Sequence, residues 1–169
     1  MTRVLTLILL SLLTAPAQAA GTPITAIITG SGGQDRLTET LFIISKRTRD
    51  ATPLELAVAV AKQIPSGRIS SLSLFVLKDH LKPNELDLLA TNINRVATSC
   101  FNLSAGRLGG LTAWLELLER QGVRKAEASF GPMQVVYKRD RTHDGPYIEV
   151  SMFRTGQPGA AFWKAYCTN

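Results

Sequence analysis

Two histidines, His80 and His143, are the side chains best suited by type to move protons near neutral pH, and they lie far apart in the sequence. A metal centre would need them at a ligand spacing such as H-x-x-x-H or H-E-x-x-H, and neither spacing occurs. A serine hydrolase would need a nucleophile beside a histidine that an acid orients. Ser31, Ser99 and Ser104 qualify by type, but no G-x-S-x-G elbow presents any of them. Asp79 beside His80 and Asp144 beside His143 are adjacent in sequence, a separation that rarely lets one side chain orient the other. The balance falls against catalysis. A small periplasmic hydrolase with His80 or His143 as general base stands as the alternative, and no catalytic, metal or cofactor-binding residue is assigned.

The best binding candidate is basic. Lys138, Arg139, Arg141 and His143 gather on what reads as a long hairpin tip, Arg139 to Pro146, with Tyr137 and Tyr147 at its base. Guanidinium forks suit carboxylate and phosphate groups, and loops carried on rigid scaffolds often bind. Asp140 and Asp144 cancel part of that charge. Lys46, Arg47 and Arg49 form a second basic cluster.

The stretch Ile28-Thr29-Gly30-Ser31-Gly32-Gly33-Gln34-Asp35 invites comparison with a phosphate-binding loop. A dinucleotide fingerprint requires a third glycine where Asp35 stands, and no G-K-[ST] follows. The glycines read instead as a hairpin turn that needs positive φ.

The address comes from the first nineteen residues. Arg3 precedes the apolar run Val4 to Leu13, and Ala17-Gln18-Ala19 offers the small residues of a cleavage site. The run is about half the roughly 20 residues needed to span a bilayer. Residues 1–19 are therefore expected to be a cleaved secretory signal, and 20–169 one domain, periplasmic or secreted, with no transmembrane segment. The formal charge of +6 drops to +5 without Arg3. That surplus favours an envelope protein or an anionic surface as partner. Export disfavours nucleic acid and removes the chain from cytoplasmic nucleotide pools. Cys100 and Cys167, an even pair in an oxidising compartment, are expected to form one disulfide. By chain entropy a loop this long is worth about 4 kcal/mol. Asn102-Leu103-Ser104 matches a glycosylation sequon that would matter only in a eukaryotic host.

The elements that must position these groups follow from periodicity. Strands are expected at Ile24 to Thr29, Leu37 to Lys46, around Leu72 to Val76, Val123 to Phe130, Met133 to Lys138 and Tyr147 to Phe153. Thr52-Pro53-Leu54-Glu55 looks like a capped helix start, followed by Ala57, Val58 and Ala61 at helical spacing. Lys82-Pro83-Asn84-Glu85 opens a second helix that finishes near Thr98-Ser99. Leu111, Trp114, Leu115 and Leu118 form the stripe of a third that stops at Gly122. Trp114 is its core anchor, Gly106 to Gly110 a flexible link before it, and Ala160 to Tyr166 a short final helical turn. The order is ββαβααβββ, an α+β fold: a mostly antiparallel sheet with about three helices packed on one face. The leading functional expectation is an exported, non-catalytic binding or accessory protein of the cell envelope. A structural subunit of an envelope assembly, using an exposed strand edge, is a further alternative. Oligomeric state and strand order are left open.

Overall fold

The computed structural model describes residues 21–28, 34–36, 38, 40–47, 51, 53–62, 67–155 and 166–168. Its elements are β1 (Thr22–Pro23), α1 (Ile24–Ile28), β2 (Gln34–Arg36), β3 (Leu41–Arg47), β4 (Pro53–Lys62), β5 (Ile69–Val76), α2 (Pro83–Phe101), α3 (Ala105–Gln121), β6 (Lys125–Phe130), β7 (Met133–Thr142), β8 (Gly145–Arg154) and β9 (Cys167–Thr168). The expected leader, the three-glycine turn, Arg49 and most of the aromatic tail lie outside the described residues.

The class is the expected one, an α+β domain. Seven strands form one antiparallel sheet in the spatial order β2-β3-β4-β5-β8-β7-β6, so the chain runs one meander, crosses through α2 and α3, and returns from the far edge to lay β8 beside β5. β1 and β9 form a separate parallel pair, with Thr22 opposite Cys167. Among the described residues no helix is long and apolar enough to cross a membrane.

Alternation decides which face is covered. Leu54, Leu56, Val58 and Val60 of β4, Leu72, Leu74 and Val76 of β5, Met133, Val135 and Tyr137 of β7, and Ile148, Val150 and Met152 of β8 are buried together with the apolar stripes of the helices. The other face carries smaller or polar groups, Ala57, Ala59, Ser71, Ser73 and Ser151, beside the Phe75–Tyr147 ring contact. There Ser151 and Ser73 hydroxyls meet at 2.6 Å, and Ser151 donates to Glu149 at 2.6 Å.

Two elements correct the sequence reading. The segment from Pro53 is strand β4, not a helix. As a helix it would bury Leu54, Ala57, Val58 and Ala61; as a strand it buries Leu56 and Val60 in place of the two alanines. Each large aliphatic side chain gains about 1.5–3 kcal/mol on full burial, more than the roughly 1 kcal/mol that a capped start supplies. In turn, Ile24–Ile28 is one helical turn rather than a strand, with Ile24, Ile27 and Ile28 buried. The element order therefore differs from ββαβααβββ although the class does not.

The two long helices are where their signals put them. Pro83 occupies the first turn of α2, and the Glu85 carboxylate accepts the Lys82 backbone N–H at 3.0 Å and Lys78 Nζ at 2.6 Å. Burial acts to raise the Glu85 pKa, but those two partners outweigh it and hold the carboxyl below its usual range. α2 runs on to Phe101, so Cys100 lies in its last turn, and Asn102 closes it in the left-handed region at φ 57°. Gly106, Gly109 and Gly110 are not a link but part of α3, which Gly122 ends at φ 63°. Trp114 is half-buried and meets Phe130 edge-on, 5.9 Å between ring centres. Cys100 and Cys167 stand at disulfide distance, Cα to Cα 4.9 Å, tying β9 to the C-terminal end of α2.

Candidate functional site

β7 keeps its alternation beyond Tyr137. Tyr137 and Arg139 therefore both point inward beneath α3, and Arg139 is only 6% exposed. A guanidinium taken out of water needs a counter-charge, and Glu119, near the C-terminus of α3, supplies it. Arg139 Nη2 donates to Glu119 Oε2 at 2.6 Å, and both side chains are almost fully covered. Tyr137 donates its hydroxyl proton to the same Oε2 at 3.0 Å and accepts Arg139 Nη2 at 2.9 Å. The second carboxylate oxygen, Oε1, accepts the Leu81 backbone N–H at 2.9 Å. One buried acid thus holds β7, α3 and the loop between β5 and α2 together.

The electrostatics follow from that closure. Burial pushes the Tyr137 hydroxyl up to about 12, and the neighbouring Glu119 carboxylate works in the same direction against Arg139. Burial also opposes the charge on Arg139, but Tyr137 and Glu119 more than offset it and hold the guanidinium above its ordinary value.

His80 caps the network from the solvent side. Its Nδ1 lies 3.2 Å from Arg139 Nη1 and 3.5 Å from Glu119 Oε1. Nδ1 thus faces a donor, Arg139 Nη1, and an acceptor, Glu119 Oε1, and the ring tautomer decides which of the two it pairs with. Its Nε2 lies on the other side of the ring, 3.8 Å from Asp79 Oδ2.

Two open clefts meet at this imidazole. One, of about 370 Å³, runs along the start of α2 over Leu81, Leu86 and Ala90, with Asp87 and Glu116 on its rim. The other, of about 330 Å³, lies over Gly122 and Arg139 and is walled by Arg124, Asp140 and Arg141. The first is mainly apolar, with Asp87, Glu116 and Arg120 at its edge; the second is arginine-rich, its Arg124 and Arg141 set beside Asp79 and Asp140. Arg124 is 80% exposed, its Nη2 3.7 Å from Asp140 Oδ1.

The four residues of the expected hairpin tip are divided by this geometry. The strands extend to Thr142 and from Gly145, leaving the two-residue turn His143-Asp144 instead of a long loop. Cross-strand pairing continues because inward Arg139 finds a buried acid and outward Lys138 finds Tyr147 and Asp140. Lys138 Nζ donates to Tyr147 Oη at 2.7 Å and sits 3.1 Å from Asp140 Oδ2, contacts that raise its pKa. Arg141 is exposed and lines the arginine-rich cleft. His143 remains at the turn, Nε2 2.9 Å from Asp144 Oδ1, outside the His80 network. Glu119 and Arg124 were not singled out from sequence. The signal for Glu119 was present: an arginine in phase with Met133, Val135 and Tyr137 requires a buried acid.

Among the described residues no three histidine, cysteine, aspartate or glutamate side chains group as metal ligands. No protein-family model, no curated protein and no solved structure matches this chain.

Proposed function

We propose that the chain is an exported, non-catalytic binding protein of the cell envelope that takes an anionic group of its partner in the arginine-lined cleft beside His80. The carrying observation is that Arg124 and Arg141 stand exposed on one cleft whose floor, Arg139, is already neutralised by Glu119. The floor arginine is occupied in structure, so Arg141 and Arg124, the latter 3.7 Å from Asp140, are the guanidinium donors offered to a ligand carboxylate or phosphate. The leader-like pattern, the basic surplus and the paired cysteines support export. Among the described residues no serine, threonine or cysteine lines either cleft, which favours this reading over the hydrolase.

The test is a salt titration with two probes, a fluorescent polyglutamate peptide and vesicles containing phosphatidylglycerol. Arg124→Ala/Arg141→Ala is expected to weaken binding about tenfold or more and to flatten its dependence on ionic strength. Equal affinity and an equal salt slope for the double variant would overturn the proposal. Loss with the peptide alone assigns an acidic protein segment; loss with both probes assigns an anionic surface.

A further inference from the structure

β6 is an edge strand. Among the described residues β7 is its one partner, and its outer side presents main-chain donors and acceptors without a ladder. We infer that this edge pairs with the same edge of a second copy, antiparallel about a two-fold axis through Ala126. The inference does not depend on the cleft.

The register follows from charge. An axis perpendicular to the sheet keeps each face on its own side, so open-face residues must oppose open-face residues. Lys125, Glu127 and Ser129 are the exposed, open-face positions of β6, and Ala126, Ala128 and Phe130 face the helices. Centring the pair on Lys125 or on Glu127 sets like charges directly opposite each other, which destabilises a ladder. Centring it on Ala128 sets Glu127 against Ser129. Centring it on Ala126 sets Lys125 of each copy against Glu127 of the other, twice. Within one copy these two side chains already lie 3.5 Å apart on the same face, positioned for a four-charge lattice across the joint. The same charges oppose the registers centred on Lys125 and Glu127, and the Ala128 register gains no ion pair, so the charges favour the Ala126 register.

The helix layer agrees. α3 runs antiparallel to β6, with Gly110 beside Phe130. From Phe130 to Ala126 the strand advances about 13 Å, or about nine helical residues, which sets the stretch around Leu117 and Gln121 over the axis. Leu117 is one of three large hydrophobic side chains exposed among the described residues, at 37%. Across the two-fold it meets Leu117 of the second copy, and the small Ala126 lets the two helices approach over the seam. The product is a continuous sheet through both copies with an apolar helix contact on one side and a charge ladder on the other.

Sedimentation equilibrium of the signal-less chain, disulfide intact, tests this. The wild type is expected to dimerise; Glu127→Lys should weaken the dimer about tenfold or more, and Lys125→Glu/Glu127→Lys should restore it. Circular dichroism checks that each variant is folded. Oxidation of Ala126→Cys should give a covalent dimer, whereas Ser129→Cys, about 20 Å from its mate in this register, should not. A monomeric wild type, a double swap no better than the single one, or Ser129→Cys cross-linking as readily as Ala126→Cys would overturn the inference.

Discussion

Lys138 and Arg139 are consecutive residues of β7, each paired with a carboxylate, and the pleat sends them to opposite faces of the sheet. Arg139 meets Glu119 at 2.6 Å with both side chains under 10% exposed. Lys138 meets Asp140 at 3.1 Å with both about 40% exposed. The chemistry is similar and the consequences are not. In water an ion pair gains little, because solvent screens it and two long side chains lose freedom. Under α3 the same attraction is unscreened, but it must first offset the desolvation of both ions, and it becomes costly once one partner is lost. The inward pair therefore fixes architecture, and the outward pair stays at the surface in contact with solvent.

The largest expected effect comes from breaking the inward pair. Arg139→Met leaves Glu119 buried without its cation and is expected to cost about 3–5 kcal/mol, read as a lower urea midpoint at unchanged slope. A midpoint like that of the wild type would erase the distinction between the faces. Tyr137→Phe probes the same network more gently. Loss of one buried hydroxyl is expected to cost about 1–2 kcal/mol. The sign with pH is definite. The folded pKa is about 12 against an ordinary 10, so the stabilisation from keeping Tyr137 protonated is complete below pH 10 and is lost as pH rises through 12. Tyr137→Phe should therefore show a shallower alkaline loss of stability, followed by circular dichroism. The smallest effect belongs to the outward pair: Lys138→Ala should leave the urea midpoint within error of the wild type, and a clear drop would show that its contacts with Tyr147 and Asp140 are structural.

How far the sequence disclosed this arrangement depended on whether a single period governed each stretch. Met133, Val135 and Tyr137 alternate without interruption, as do Ile148, Val150 and Met152, and both became strands. Lys82-Pro83-Asn84-Glu85 and the Leu111–Gly122 stripe combined period with caps, and both became helices. The stretch from Pro53 carried two periods at once. Its alanines satisfied a helical stripe and its Leu54-Leu56-Val58-Val60 alternation satisfied a strand; the neighbouring strands β3 and β5, invisible locally, decided between them. The site failed to emerge for the same reason. His80, Glu119 and Arg139 come from three elements that only the return of β8 beside β5 brings together. Reading Arg139 as part of a basic tip took local charge at face value. The alternation, continued two residues past Tyr137, turns Arg139 inward, where its charge requires an acid.

The division of labour between the buried and exposed arginines is tested most directly by measuring thermal midpoint and polyglutamate affinity side by side for Arg139→Met and Arg124→Ala/Arg141→Ala. The first variant should melt several degrees lower; the second should melt with the wild type and bind about tenfold or more weakly. An Arg139→Met protein as stable as the wild type, or a double variant that keeps full affinity, would contradict the assignment of Arg139 to the scaffold and of Arg124 and Arg141 to the ligand.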